Sequence, residues 1–444
     1  MRTPLSVVIG AGGTGGHIYP GLALAEALRR ADPDAVISFI GTERGLETTL
    51  IPAAGYRLHT VDMIPFDPAL GAKRFLLPAA LLRSGAQARS VLRTQQAQVV
   101  VGMGGYPSAP AIVGARMAGL PSVIHESNAV PGRANQFAAR LTGNLTVAFD
   151  GSRAHLQGGE RARTVGMPIA ASLAALNRPA LREEARRAFG IPEGARVVLF
   201  NGGSLGAARL TAAAVDLAAR WRGRGDVHLL IKTGPAALAE TRRKLAEAEA
   251  GAGAGPVAPG AVAPGAVAPE PVAPGVSDPE VSGPGVPGSG VPGSGASGPG
   301  VSGPPPVGAG VGPVAQAVPY LDRMDLAYAV ADLVVCRAGS ATIAELATTG
   351  VPAVLVPYPH APGDHQTHNA RVLSDAGAAH LVPDAETTAD RLAGLIDPLL
   401  ADPARLAVMG RAADPGNHAR AADLLAETVI RLAAQPSTAK EFTA

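Results

Sequence analysis

Three stretches of the chain place glycines between a short apolar run and a helical pattern: Gly10-Ala-Gly-Gly-Thr-Gly-Gly16-His17, Asn201-Gly-Gly-Ser-Leu-Gly-Ala207 and Arg337-Ala-Gly-Ser-Ala-Thr342. Glycine permits positive φ and close approach of a ligand. A helix N-terminus adds unpaired N–H groups and partial positive charge, so each loop suits a diphosphate. His17 falls at the start of its helix, where the dipole disfavours the imidazolium. A neutral ring that accepts a proton suits a general base; capping the helix or packing on the sheet is the structural alternative. Glu345 is expected in the first turn of the helix after Thr342, where a carboxylate can accept both hydroxyls of a ribose. Its structural alternative, complementing the helix dipole, is worth roughly 0.3–1 kcal/mol. With a phosphate-type loop beside it, ribose is the better reading.

The glycines at 10, 12 and 15 also satisfy a loose dinucleotide-binding pattern. The second strand, however, ends Phe39-Ile-Gly-Thr-Glu43-Arg44, with its carboxylate displaced beyond a glycine and an arginine beside it, which counts against a nicotinamide cofactor. Other polar groups follow apolar runs: Tyr106 after Gly104-Gly105, then His125-Glu126-Ser127-Asn128, then the stretch Pro359–Ala370. In an open α/β sheet such strand ends face the ligand crevice. His360, His365 and His368 lack a thiolate or a carboxylate at zinc-ligand spacing, so this last loop suits a sugar rather than a metal. Lys73-Arg74-Phe75-Leu76-Leu77-Pro78-Ala-Ala-Leu81-Leu82-Arg83 is an apolar patch bracketed by cations. It reads either as a segment dipping into an anionic interface or as a core helix with charged ends.

The elements that must position these groups alternate between short apolar runs and helical periodicity, the pattern of parallel sheets covered by helices. Strands are expected at Leu5–Ala11, Val36–Gly41, Val99–Gly104, Ser122–His125 and Leu145–Phe149. A second series follows at Arg196–Gly202, Val227–Thr233, Val314–Val318, Leu333–Arg337 and Ala353–Pro357. The first helix is expected over Ile18–Arg30, with Pro20 in its opening turn. The glycine and proline of Gly166-Met167-Pro168 interrupt the pattern and mark the boundary between two domains, 1–165 and 166–415. The segment 251–312 is almost wholly Gly, Ala, Val, Pro and Ser, with repeats such as Val257-Ala-Pro-Gly-Ala. Its prolines forbid helix and its small side chains bury too little surface to offset ordering entropy, so it is expected to be a disordered insertion.

A chain of 444 residues with 47% hydrophobic positions accommodates two such domains. A net charge of +2, spread along the chain, argues against nucleic acid as a partner. Cys336, the single cysteine, lies in an apolar run and fits a buried thiol in a reducing compartment. The N-terminal run is read as a first strand rather than a signal peptide, given its glycines and the lack of a cleavage-type ending. No uncharged apolar run reaches the roughly 20 residues of a membrane span, so any membrane contact is expected to be peripheral.

Taken in order, Gly12-Gly-Thr-Gly-Gly-His17-Ile-Tyr-Pro20, His125-Glu126-x-Asn128, Gly202-Gly-Ser-x-Gly-Ala207, Arg337-Ala-Gly-Ser-x-Thr-x-x-Glu345 and Asp364-His-Gln-x-x-Asn369-Ala370 resemble the MurG family of glycosyltransferases. The resemblance covers nearly all of the chain outside the repeat segment. It implies a GT-B fold, two Rossmann-like α/β domains facing across a cleft, with a final helix at about 416–434 packing back on the first domain. It also implies inverting transfer of N-acetylglucosamine from UDP-GlcNAc to the undecaprenyl-diphosphate-linked muramyl pentapeptide, in peptidoglycan synthesis, without metal or cofactor. Alternatives within the fold are a paralogue that glycosylates another lipid or a natural product, a UDP-GlcNAc epimerase, and a homologue that only binds nucleotide.

Carried over to this chain, the resemblance gives the donor to Thr14, Gly15, Gly16, Asn128, Ser204, Ala341 and Thr342. Glu345 takes the ribose, Gln366 the sugar hydroxyls, and the Leu321 backbone borders uracil. The acceptor goes to Gly13, His17, Tyr106, Glu126 and Asn135, with His17 the candidate base. Membrane docking falls to Lys73, Arg74, Phe75, Leu76, Leu77, Leu81, Leu82 and Arg83, which implies a peripheral enzyme on the cytoplasmic face of a bacterial membrane, near cell-wall synthesis proteins. The chain departs from the family pattern at Ala170, where arginine is usual, and at Ser127 and Leu205, where glutamine is usual.

Overall fold

The computed structural model describes residues 4–63, 77–202, 207–250 and 314–435. Ser204, Leu205, the stretch Lys73–Leu76 and the repeat segment lie outside the described residues.

The first half builds a seven-stranded sheet in the order β3-β2-β1-β4-β5-β6-β7. Its strands are β1 (Ser6–Gly10), β2 (Val36–Gly41), β3 (Arg57–Thr60), β4 (Val99–Gly102), β5 (Ser122–Glu126), β6 (Leu145–Val147) and β7 (Arg163–Thr164). The second half builds a six-stranded sheet in the order β10-β9-β8-β11-β12-β13. Its strands are β8 (Arg196–Asn201), β9 (Val227–Lys232), β10 (Ala315–Val318), β11 (Leu333–Cys336), β12 (Ala353–Leu355) and β13 (Ala379–Leu381). Every pairing is parallel. Parallel strands need crossovers, which put helices on both faces. The central strands are therefore buried along their length, as in the wholly buried Ser6–Gly10.

Both sheets reverse strand order once, between β1 and β4 and between β8 and β11. At such a switch the neighbouring crossovers run to opposite faces and leave a crevice beyond the strand ends. The expected glycine loops after β1 and β11 stand at these two crevices; of the one after β8, residues 203–206 lie outside the described residues. Helix α1 (Gly15–Ala31) leaves the first loop, and α2 (Glu47–Ala53) follows β2. Helices α3 (Leu77–Thr94) and α4 (Ser108–Ala118) cover the opposite face.

The final helix, Ala421–Ala433, belongs to the first core: Leu425, Val429 and Leu432 are buried with Leu24, Leu28 and Phe39. The chain crosses back through polar seams. His418 Nδ1 accepts from the Met167 N–H at 2.8 Å, and Asn417 donates to the Thr164 carbonyl at 3.0 Å.

Three strands escape the sequence pattern. β3, β7 and β13 are two to four residues long and lie at or beside sheet edges, where alternation has no room to declare itself. The first helix starts at Gly15 rather than Ile18, because the His17 and Ile18 N–H groups already bond the Thr14 carbonyl. Pro20 consequently lies inside the helix and not in its opening turn.

Candidate active site

On the first-domain side the glycine loop is held from behind. Glu47, at the start of α2, is 0% exposed. It accepts the Gly13 N–H at 2.9 Å on one oxygen; on the other it accepts the Thr42 N–H at 3.3 Å and the Thr42 hydroxyl at 2.8 Å. The Thr42 hydroxyl also lies 3.3 Å from the Tyr106 hydroxyl. A Cβ at position 12 would stand 2.7 Å from the Glu47 carboxylate, so only glycine admits the acid at that distance. Thr14 caps α1 in an extended conformation, and Gly15 and Gly16 are the first helical residues.

His17 keeps some exposure, and its Nδ1 lies 3.4 Å from the Thr14 hydroxyl. Burial pushes its imidazole down to about 4; His365, across in the second domain, adds to the fall, while the Gly12 carbonyl and Glu47 oppose it. The ring is neutral at physiological pH and keeps one nitrogen as a proton acceptor.

At the end of β5, the Glu126 side chain turns inward as a hub. One oxygen accepts the Asn128 N–H at 2.8 Å, the other the Gly132 N–H at 3.1 Å and the Asn135 amide at 2.9 Å. Burial pushes the carboxyl above its ordinary range, and these bonds counteract the rise. Glu126 and Asn135 are thus buried inside the loop they shape, while Asn128 is partly exposed. Asn369 reaches across from the second domain. Its oxygen accepts the Ala129 N–H at 2.8 Å, and its amide donates to Asn128 and to the Ala338 carbonyl, each at 3.2 Å. Asn369 is fully buried and fastens the end of β11 to the loop after β5.

On the second-domain side, the helix Ser340–Thr349 opens behind Gly339 with neither a side-chain cap nor an acid in its first turn. Its N-terminal groups, Ala341 and Thr342 among them, face the switch point. Because the helix begins at Ser340, Glu345 lies in the second turn rather than the first, where the dipole has little hold on it. Burial pushes Glu345 up to about 7, against the pull of the Tyr328 hydroxyl, which donates to it at 2.8 Å, and of Lys232. Lys232, at the end of β9, lies 5.0 Å from the centre of the Tyr320 ring, and Leu321 beside it is buried. The Tyr320 hydroxyl meets that of Tyr19 on α1, so the domains touch here as well. The Gln366 carbonyl oxygen accepts the Ala338 N–H at 3.2 Å and the Tyr358 N–H at 2.9 Å, which leaves its amide hydrogens for a ligand.

The sequence reading missed Glu47, Thr42, Lys232 and the Tyr19–Tyr320 contact. Thr42 and Glu47 sit two residues to either side of Arg44-Gly45, and an acid after that glycine was the available signal. Ala170, where the family pattern has arginine, is exposed and brings no polar group.

The expected membrane patch is seen only from Leu77 onward. Leu77 and Leu81 are half-buried, Leu82 is 62% exposed, and Arg83 pairs with Asp62 at 3.0 Å. Among the described residues no helix is long and apolar enough to cross a membrane.

Residues 7–146 match the glycosyltransferase family 28 N-terminal domain, and residues 305–427 match its C-terminal domain. The chain is 38% identical over 442 residues to the UDP-N-acetylglucosamine–N-acetylmuramyl-(pentapeptide) pyrophosphoryl-undecaprenol N-acetylglucosamine transferase of Rhodococcus opacus, covering 98% of both chains. It is 38% identical to the transferase of the same name from Mycobacterium bovis, covering 97% of this chain and 89% of the relative. In three dimensions it is similar to MurG of Acinetobacter baumannii, with a TM-score of 0.64 at 24% identity, over 96% of this chain and 100% of that one. It also shares its fold with a UDP-GlcNAc 2-epimerase from Neisseria meningitidis, with a TM-score of 0.58 at 11% identity, over 97% of this chain and 100% of that one. Transferase and epimerase therefore share this architecture, and the relatives at 38% identity separate them.

Proposed function

The chain belongs to the MurG family, and from that membership we infer how its cleft works. The enzyme is an inverting transferase that moves N-acetylglucosamine from UDP-GlcNAc to undecaprenyl-diphosphate-linked MurNAc-pentapeptide, the step that completes the lipid-linked disaccharide of peptidoglycan. The observation that carries this is identity of 38% across the full length of named transferases.

Glu345 receives the ribose hydroxyls, the Leu321 backbone borders the uracil, and the opening turn at Ala341 and Thr342 faces the diphosphate with Ser204. There the unpaired N–H groups and the dipole stabilise charge on the departing UDP. The Gln366 amide donates to the sugar, with Asn128 and the Thr14–Gly16 turn closing over it. The acceptor lies against Gly13, His17 and Tyr106, on a loop braced by Glu126 and Asn135. His17 removes the proton from the acceptor hydroxyl as it attacks the anomeric carbon on the face opposite UDP. A single displacement of this kind inverts the centre, and holding both substrates in line supplies much of the rate.

The segment from Lys73 to Arg83, with Phe75, Leu76, Leu77, Leu81 and Leu82 between cations, docks the enzyme on an anionic membrane surface, where the undecaprenyl chain is anchored. The cytoplasmic face fits the buried thiol of Cys336 and the UDP-sugar donor.

The test is to incubate the purified protein with UDP-GlcNAc and a short-chain lipid-diphosphate acceptor, and to follow UDP and disaccharide together. Equal amounts of the two, both dependent on acceptor, are expected. UDP formed without acceptor would point to epimerase-type chemistry, and no turnover would point to a binding protein.

A further inference from the structure

Glu47 has no place in the chemistry above, yet it is a buried acid in contact with the loop that carries His17. The Gly12–Gly13 peptide lies between them. Its N–H, on Gly13, donates to Glu47 at 2.9 Å. Its carbonyl, on Gly12, lies beside the His17 ring and favours the protonated ring. The Gly12 oxygen and His17 Nδ1 border one space, 2.6 and 3.0 Å from where a Cβ on residue 105 would stand, which puts Nδ1 on the carbonyl's side of the ring; the Thr14 hydroxyl is its other neighbour, at 3.4 Å. Residue 105 is glycine with φ of +74°, which leaves that space empty. Nε2 lies on the other edge of the ring, against Gly104.

We propose that Glu47 is a positioning residue that acts on His17 through the Gly12–Gly13 peptide, fixing the ring with Nδ1 as donor and Nε2 as the proton acceptor. A backbone carbonyl only accepts, so the nitrogen facing it carries the hydrogen. A carboxylate on the N–H end of the same peptide polarises it and strengthens the carbonyl as an acceptor, because hydrogen bonds in series reinforce one another in a low-dielectric site. The arrangement does for His17 what a carboxylate bonded directly to an imidazole does elsewhere, with one peptide unit interposed. It also changes the meaning of the loop. The Gly13 N–H is occupied by Glu47, and a negative charge stands behind it, so Gly13 is no part of an anion hole.

The glycines fit this reading: a Cβ at Gly12 or at Gly45 would stand 2.7 or 2.6 Å from the Glu47 carboxylate. The charged or titratable groups that bear on His17 are Glu47 from α2 and His365 from the second domain, with Tyr106 beside the loop. Glu47 favours the imidazolium and His365 disfavours it.

The inference rests on His17 as base, and the experiment separates the two. Glu47→Gln and Thr42→Val, each in the full chain, are compared with wild type by nitrogen NMR of the His17 ring, assigned with His17→Gln, and by the pH profile of kcat/KM with UDP-GlcNAc and the short-chain acceptor. Gln cannot accept on both atoms, so it breaks a bond to Gly13 or to Thr42. The expected result for Glu47→Gln is a mixed tautomer, kcat lower by roughly tenfold, a part of the general-base contribution, KM for UDP-GlcNAc unchanged, and an acid limb moved to lower pH. Thr42→Val, which keeps the carboxylate and loses one of its donors, should shift the same readouts less, and it carries the test if Glu47→Gln does not fold. A wild-type tautomer with an unmoved acid limb in both variants overturns the proposal. Normal turnover by His17→Gln overturns the base assignment alone, and a tautomer shift in Glu47→Gln still upholds the relay.

Discussion

The loop after β1 and the loop after β11 share a local plan, a strand that ends in glycines and runs into a helix, and they differ in what stands behind them. Behind the first is the buried Glu47 carboxylate, bonded to Gly13 and pressed against Gly12. Behind the second, the helix Ser340–Thr349 opens with no side-chain cap and no acid in its first turn. The first loop is locked by an internal anion and presents a neutral imidazole; the second leaves its helix terminus for an external anion. Glycine loops are thus not equivalent because they look alike. The charge that the fold places beneath the backbone differs between them, and on the proposed reading it suits the second to a diphosphate and the first to a base.

The contrast is most exposed at His17. His17→Ala should lower kcat by roughly 10²–10⁴-fold, the usual span of general-base catalysis, while UDP affinity measured by calorimetry stays intact. Since His17 is neutral above about 4, the acid limb of the wild-type kcat/KM profile should fall near that pH, well below the range of a free histidine. Comparable losses of UDP affinity and turnover would erase the division between the two loops.

Glu345→Ala should act the opposite way, weakening UDP binding by about 1.5–3 kcal/mol, as for hydrogen bonds to a charged group. The carboxyl of the free protein is pushed up to about 7, and the carboxylate is the form that accepts ribose hydroxyls. UDP affinity should therefore strengthen as pH rises through about 7, and Glu345→Gln should flatten that dependence. A flat wild-type profile would remove Glu345 from the ribose.

A smaller effect is expected where the two halves are fastened. Asn369→Ala strands the Ala129 N–H and loosens Asn128, costing on the order of 1 kcal/mol or more of stability, visible in thermal melting, with KM for UDP-GlcNAc rising more than kcat falls. An unchanged KM would mean that the loops keep their spacing without this bond. The smallest effect should come from deleting 255–310. β9 and β10 pair directly through Leu229 and Ala315, and a segment of that composition has little apolar surface to bury. Loss of folding on deletion would make the second loop dependent on the repeats.

Much of this was legible in the residues. Apolar runs followed by glycines and a helical period mark parallel strands with their ligand loops, because those signals come from burial and backbone sterics within a few residues. The strands bearing the glycine loops therefore appear where they were expected. The short β3, β7 and β13 did not, and the glycines at 15 and 16 concealed how early the first helix begins, which misplaced Pro20. The same early start, at Ser340, moved Glu345 into the second turn. Within the site, His17, Glu345 and Gln366 were marked by their motifs, whereas Glu126 and Asn135 were marked without any sign that their side chains turn inward.

By itself the sequence determined the fold class, the strand-end loops and the family, since each rests on patterns a short window of chain can hold. Only the tertiary structure decided that Glu47 occupies the Gly13 N–H, that Asn369 joins the halves through Ala129, and that Tyr19 meets Tyr320. Those partners lie 34, 240 and 301 residues apart, and a hydrogen bond or a buried charge depends on distance in space, which separation along the chain does not encode.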